Sequence, residues 1–429
     1  MSPALLMFLA FVVCIFLGMP IAVCLGMGSI VTILAFPDLI PGDFIINTFF
    51  SATDSFPLLA VPFFVLAGEI MLKGGISSRL VKMGLKLFGH LRASLATVNV
   101  LASMLFAALS GSGAATVAAI GGLMVPEMDE EGYDPAFSSA LSACAGAMGP
   151  IIPPSITFVI YGVTNNVSVS SLLIAAVIPG ILMGLSLIIY AYVVCRKKGF
   201  GKRHPKATFR ERLDAIKDAF WALLAPLIIL GGIYGGIFTP TEAAVVASVY
   251  GLVIGIFVYK GIRTVQDFLT ICSKTLDTTA LCLILMGVAT LFGRILTLEQ
   301  IPVILARLVG ELTTNKYLVL LLVNIFMLFV GMFMESIAAN VILSPILLSI
   351  LTPLGVDPIH FGIILGVNLA IGLCTPPVGL NMFVAAKVGN ISVGRMVRYL
   401  IPMILCLVVV LLLTTYIPVL SLFPLRFAG

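Results

Sequence analysis

Two polar islands and two proline-broken stretches carry the groups of this chain best suited to holding a small solute. The islands are SGSGAAT at 110–116 and MESIAAN at 334–340; the breaks are GPIIPPS at 149–155 and GLCTPPV at 372–378. A helix that stops in a break exposes carbonyls with partial negative charge. The helix that restarts beyond it exposes amides with partial positive charge. Carbonyls suit a hard cation such as Na+, whereas amides and hydroxyls suit a carboxylate. Proline brings no N–H that needs a partner, and Gly111 and Gly113 let backbone approach closely. The candidate cation ligands are therefore Ser110, Gly111, Ser112 and Gly113 with Gly149, Pro150, Ile152 and Pro153, and Glu335, Ser336, Ala338 and Asn340 with Gly372, Cys374, Thr375 and Pro376. The candidate substrate contacts are Ser112, Thr116, Ser155, Thr157, Asn340, Pro377 and Asn381. Glu335 is an acid at membrane depth, which points to function; it can equally snorkel or pair with an arginine.

The pattern occurs twice. Asp134-Pro135 leads through an apolar stretch to the first break, then to NVSVS at 166–170 and Pro179. Asp357-Pro358 leads to the second break, NISVG at 390–394 and Pro402. Pro135 and Pro358, Pro154 and Pro377, and Pro179 and Pro402 are each separated by 223 residues; Asn166 and Asn390 need one gap. A repeated, proline-interrupted apolar segment points to a transport site near the bilayer midplane.

The elements that position these groups belong to a membrane protein. Hydrophobic residues are 60%, charged residues 10%, and the mean hydropathy is +1.20. A soluble domain carries about 25% charged residues. Met1–Pro37 and Tyr399–Pro424 lack any charge, and each exceeds the ~20 residues that span the hydrocarbon core. The apolar run from Ser2 is too long for a cleavable signal peptide. An Asp N-cap followed by Pro is a strong helix start. From Pro135 to Met148 the helix reaches only about 21 Å, short of ~30 Å of hydrocarbon. It must stop inside the membrane, and the second copy likewise at Gly372 and Pro376-Pro377. Segments 93–128 and 317–351 are too short to cross twice, because each limb reaches only roughly 26 Å. Re-entrant hairpins fit, with tips near 110 and 334, where the polar islands lie.

The fold class is an all-α polytopic membrane protein with two re-entrant hairpins and two broken helices. Residues 1–92 form the scaffold and arm of repeat 1, with a break near Gly18-Met19-Pro20, and 93–195 its transport part, including a broken helix at 135–165. Residues 196–218 form a basic loop. Residues 219–316 form the second scaffold and arm, and 317–429 the second transport part, with a broken helix at 358–390. The stretch 196–218 holds nine Lys or Arg against three acids, so the positive-inside rule places it in the cytoplasm. Lys73, Arg79, Lys82, Lys86 and Arg92 have no acid among them and belong on that side. The matching part of the second half mixes Arg294, Arg307 and Lys316 with Glu299 and Glu311, as an inverted repeat facing outward would. Both termini are then periplasmic.

Other readings are weaker. The small residues of SGSGAA also suit a helix-packing seam. TPTE at 239–242 reads as a capping box. Eight scattered cysteines read as small buried hydrophobes. There is no GxxxxGK[ST], and SGSG at 110–113 is not GxSxG. His90, His204 and His360 fall in polar connections. An intramembrane enzyme or a passive channel explains less of the pattern, and the basic residues imply a membrane side rather than nucleic acid.

At these residues the chain resembles the large membrane subunit of the tripartite ATP-independent periplasmic (TRAP) transporters. The similar stretches are FPLLAVPFFVLAGEIM at 56–71, LSGSGAATVAAIG at 109–121, MGPIIPPSI at 148–156, GGIFTPTEAA at 235–244 and GLCTPPVGLN at 372–381. The resemblance implies an elevator-type fold in the bacterial inner membrane and Na+-coupled uptake of an organic acid of the sialic acid or C4-dicarboxylate type. It also implies a small membrane subunit, here a separate polypeptide, and a periplasmic substrate-binding protein. With two breaks, at least two Na+ are expected. The tips are also similar to the Ser-Asn-Thr motifs of the divalent-anion symporters, although the first reads Ser-Gly-Ser. A stand-alone Na+/anion symporter of that type is the alternative.

Overall fold

Capping chemistry starts the helices where the sequence places it. In the computed structural model, which describes residues 2–37, 43–91, 93–202, 206–313 and 315–427, the Asp134 carboxylate accepts from the Ala136 amide at 2.9 Å. The Asp357 carboxylate accepts from the Ile359 and His360 amides at 2.8 and 3.0 Å. Pro135 and Pro358 occupy the first helical position. Thr239 and Glu242 exchange side-chain and amide bonds in a capping box, so TPTE is a helix start. Arg92, Arg203 and His204 lie outside the described residues.

The described residues form helices and no strand. Seven helices are long and apolar enough to cross a membrane by length and composition. Four elements are interrupted, in two matched pairs, and one of their limbs is the candidate span Ser336–Leu354. Ser94–Ser110 turns at Gly111 and Ser112 into Gly113–Thr116, a π-helical turn Val117–Gly121, and Gly122–Glu130. Lys316–Gly331 turns into Ser336–Leu351. Pro135–Gly146 breaks and resumes as Ile156–Asn165; Pro358–Gly372 breaks and resumes as Leu380–Val388. Both double prolines, Pro153-Pro154 and Pro376-Pro377, are joined by cis peptides.

Buried amides fix the register of each helical hairpin on its own broken helix. Asn99 donates to the Ser142 hydroxyl at 2.8 Å in the first half. In the second, Asn368 donates to Asn324 at 2.9 Å and Asn324 to Thr415 at 3.0 Å. An unpaired buried amide costs about 1–3 kcal/mol, so sliding either hairpin would break these pairs at that cost.

Val177–Lys198 and Val393–Tyr416 pack on these interrupted elements, and several of the other helices make a second packed group. Ala60–Lys73 lies against Pro240–Val253 and Val265–Leu298, and Ile21–Ala35 packs on Val265–Leu298. The first span is less simple than one broken helix. Pro3–Phe16 and Ile21–Ala35 fold back on each other, and Gly28 meets the Met7 carbonyl and Phe11. The stretch 196–218 is only partly loop: Val177–Lys198 ends inside it and Phe209–Tyr234 begins inside it. The latter start is fixed by a Thr208–Glu211 capping box. Two ion pairs, Arg79–Asp218 and Lys86–Glu211, join the 73–86 basic residues to this region, and Lys73 pairs with Asp267 in the first turn of Val265–Leu298. The two basic stretches therefore share one end of the molecule.

One expectation fails outright. His360 is not in a polar connection but buried in the first turn of Pro358–Gly372. Its ring contacts the Ser421 hydroxyl at 2.6 Å and the Thr415 carbonyl at 3.3 Å. The C-terminal segment folds over the helix start and covers it, which the local polarity of 356–360 does not reveal.

Candidate functional site

The two hairpin tips and the first break meet at one cavity of about 230 Å³. Ser110, Gly111, Ser112 and Gly113 line it from the first tip, Glu335 and Ser336 from the second, and Pro150 and Thr157 from the first broken helix. Leu373 and Leu380 bring in the second break. The opposite wall is the other helix group, with Gly68 and Glu69 from Ala60–Lys73 and Thr278 and Cys282 from Val265–Leu298. The cavity thus lies on the seam between the interrupted elements and the continuous ones.

Glycine makes the first tip possible. Gly111 has φ +60°, and a Cβ there would lie 2.7 Å from the Pro154 carbonyl oxygen. A Cβ on Gly149 would lie 2.5 Å from the Ser112 carbonyl carbon and oxygen. The tip at 110–113 therefore sits directly on the break at 149–154. Thr116 donates to the Ser112 carbonyl at 2.8 Å and contacts the Ser110 hydroxyl at 3.1 Å. These hydroxyls hold the tip in shape. Ser112 itself caps the helix that follows.

The second tip is built differently. Glu335 Oε2 accepts from the Ile337 and Ala338 amides at 2.9 and 3.3 Å. It neither snorkels nor forms an ion pair among the described residues. Asn340 is fully buried and donates to the Thr157 carbonyl at 2.8 Å. Its own oxygen, like the Ser336 hydroxyl, has no protein partner among the described residues. Beside its tip this hairpin packs on the second break, where a Cβ on Gly372 would lie 2.5 Å from the Gly331 carbonyl oxygen.

The remaining predicted residues lie in different environments. Asn381 belongs to the first cluster: it lies beside Gly113 and the Gly146 carbonyl, is fully buried, and has an oxygen without a protein partner among the described residues. Thr116 and Ser155 are buried behind the cavity wall, where Ser155 donates to the Pro150 carbonyl. Thr375 and Cys374 donate to the Ile371 carbonyl of their own helix. Ile152 packs on Gly180. Pro153 is buried, Pro376 half-buried and Pro377 exposed, and none of the three lines the cavity.

Two exchanges across the repeats were not legible in the sequence. Asn381, from the second broken helix, sits with the first tip; Asn340, from the second tip, sits with the first broken helix. Spacing within a repeat carries no signal about which repeat a side chain faces. Glu69 is the residue that sequence reasoning missed. It lines the cavity and pairs with Lys274 at 3.8 Å. An acid within the apolar run FFVLAGEIM carries the same signal that singled out Glu335.

At the end of the molecule that carries the basic stretches, Asp134 joins the two halves. Arg398 and Tyr399 both bond to its carboxylate, the Tyr399 hydroxyl at 2.9 Å. Burial opposes ionisation, but the Ala136 amide, the Tyr399 hydroxyl and the Arg398 guanidinium together hold the carboxyl below its ordinary range.

Known proteins share this architecture. The chain aligns with the YdaH transporter of Alcanivorax borkumensis at a TM-score of 0.59 and 17% identity, covering 88% of this chain and 89% of that one. It aligns with MtrF of Neisseria gonorrhoeae at 0.60 and 12%, covering 90% and 85%. Those likenesses concern the fold. In sequence it is 44% identical to an isethionate TRAP transporter permease, DctMQ, of Oleidesulfovibrio alaskensis, over 100% of this chain and 67% of the relative. It is 44% identical to a C4-dicarboxylate TRAP large permease, DctM, of Pseudomonas aeruginosa, over 93% and 92%. It is 40% identical to the sialic acid TRAP large permease SiaM of Vibrio cholerae, over 94% of each. The model of the tripartite ATP-independent periplasmic transporter, DctM component, matches residues 8–420, and this chain belongs to that family.

Proposed function

We propose that this chain is the membrane-embedded large subunit of a Na+-coupled transporter. It imports an organic anion delivered by a periplasmic binding protein and works with a small membrane subunit. The convergence of both tips on a cavity facing the continuous helices carries the reading. The two hairpins and two broken helices form the moving body, re-entrant from opposite sides and related as inverted repeats. The second packed group, with Ala60–Lys73 and Val265–Leu298, forms the scaffold against which that body slides, as in an elevator. The stretch 196–218 is cytoplasmic, and both termini are periplasmic.

One Na+ binds between the first tip and first break, near the Gly146 carbonyl and the Asn381 oxygen. The second binds near Ser336 and Asn340. Unpartnered buried oxygens suit a cation, because leaving them unsatisfied costs free energy that a bound ion recovers. The anion occupies the cavity between them, against Ser112 and Thr157. The relatives' named substrates include a sulfonate, C4-dicarboxylates and a sugar acid, so the shared requirement is an anionic head group.

Magnitudes favour two ions. A potential of about 100 mV is worth about 2.3 kcal/mol per charge moved inward, or roughly 40-fold accumulation at 1.4 kcal/mol per tenfold. A monoanion with one Na+ gains nothing from the potential; with two it gains that factor.

The test is uptake into vesicles containing this chain, its small subunit and the loaded binding protein, under an inward Na+ gradient. Uptake should be electrogenic, with a sodium Hill coefficient above one. Sodium-independent uptake would overturn the coupling, and concentrative uptake by this chain alone would favour the stand-alone symporter.

A further inference from the structure

A second, larger cavity of about 440 Å³ lies on the same seam. Arg294, Thr290 and Thr297 line it from the helix Val265–Leu298, Thr164 and Asn166 from the first broken helix, and Val341 from the second hairpin. Arg294 and Cys282 of the central cavity share one continuous helix. Twelve residues separate them, so the cavities are offset by roughly 18 Å. The start of that helix is tied to Lys73 at the basic end of the molecule, so the second cavity opens toward the other end. That end is the outer face in the reading above.

Its chemistry is one-sided. Arg294 is exposed, and no acidic residue lines the cavity among the described residues. A guanidinium keeps its charge at every physiological pH and offers a planar fork of donors matched to a carboxylate. Pro345 lies within Ser336–Leu351 and has no N–H, so the Val341 carbonyl lacks its usual helical donor. The wall therefore offers one cation for an acid group, and an acceptor and hydroxyls for polar substituents. Part of it belongs to the scaffold and part to the proposed moving body, so the cavity exists only while the two stand in this relation.

We propose that this cavity is an outer loading site, where the acid group of the incoming carboxylate or sulfonate pairs with Arg294 before reaching the central cavity. The proposal rests on the transport reading, but its charge can be tested without transport. A cysteine is placed by Thr290→Cys, one helical turn from Arg294 on the same face, in the full chain in nanodiscs. Its modification by a sulfonate-bearing and by a quaternary-ammonium thiosulfonate reagent is followed by mass spectrometry at that position. With each rate divided by that of the same reagent with a small free thiol, the anionic reagent should be favoured roughly tenfold over the cationic one, as a nearby positive charge in a partly shielded cavity requires. Adding Arg294→Gln should abolish the preference, and Arg294→Lys should keep most of it. A ratio unchanged by Arg294→Gln overturns the inference, and so does a ratio near one in the parent, which would show the guanidinium covered by a lipid phosphate.

In the complete transporter with Thr290 restored, Arg294→Gln should reduce uptake several-fold at low substrate while sparing the maximal rate. An unchanged concentration dependence also overturns the loading role. If the parent complex shows no uptake at all, the transport reading fails, and the reagent ratio still decides the charge of the cavity.

Discussion

Ser112 and Glu335 occupy equivalent positions, 223 residues apart, and each caps the helix leaving its hairpin tip. One is a neutral hydroxyl and the other a carboxyl group. At a helix N-terminus the amides favour an anion. In the second tip the protein's own carboxylate already takes the Ile337 and Ala338 amides. An anion would therefore be better received at the helix start behind Ser112 than at the one behind Glu335. The tips also differ in how their polar atoms are used. The first is knit by Ser110, Thr116 and the Ser112 carbonyl, while the second leaves Ser336 and Asn340 oxygens without protein partners among the described residues. Matched positions of the sequence repeat thus present helix starts of unlike charge.

The largest effects are expected where the two halves agree. Gly149 and Gly372 are also 223 residues apart, and each lets a break touch its own hairpin. A methyl group at either would meet backbone, which cannot rotate away. Gly149→Ala and Gly372→Ala should each destabilise the folded protein by about 1–3 kcal/mol or more and abolish uptake. Melting temperatures of the purified variants check this; an unshifted melt for either would show that the tip and break are not in tight contact.

The next effects should separate the tips. Glu335→Gln removes the negative charge, and we expect the sodium concentration for half-maximal uptake to rise about tenfold, worth ~1.4 kcal/mol. Ser112→Ala loses a cap worth about 1 kcal/mol and should weaken apparent substrate affinity more than sodium affinity. Sodium titrations at fixed substrate, and the converse, distinguish the two; identical profiles would remove the contrast.

A smaller difference is expected between the two aspartate caps. Asp134 is tied to Arg398 and Tyr399, whereas Asp357 bonds to the Ile359 and His360 amides. Asparagine keeps capping ability, so Asp134→Asn should cost about 0.2–1 kcal/mol, the range for an exposed pair, and Asp357→Asn less. The Asp134 carboxyl titrates lower when folded. Its stabilisation is complete above the unfolded carboxyl's ordinary range and lost as pH falls through the lowered folded value. Melts of wild type and Asp134→Asn should therefore converge in acid. A gap that persists there would trace the effect to packing instead.

Much of the fold was legible because its devices are local. Asp-Pro starts, the TPTE box, the double-proline breaks and the polar tips each act within a few residues of their own sequence. The substrate-facing assignments were less legible because they depend on which element lies opposite. Nothing near Asn381 shows that it faces Gly113, and nothing near 356–360 shows that Ser421 covers His360. Likewise, Thr116 and Ser155 read as solute ligands by residue type, but the turns they stabilise use their hydroxyls. A substitution that should leave coupling untouched follows from the same distinction. Thr239→Ala removes a cap outside the site, should cost about 1 kcal/mol of stability, and should leave sodium activation unaltered. A changed Hill coefficient would place that helix start in the coupling machinery.

The central claim is that each tip, with its break, holds one Na+. Equilibrium binding of radioactive sodium to the purified chain in nanodiscs counts those ions without substrate or partners. The account expects at least two per chain, falling by one in Asn340→Ala and by one in Asn381→Ala. A count of one or none in the wild type, or a count that neither substitution changes, would contradict it.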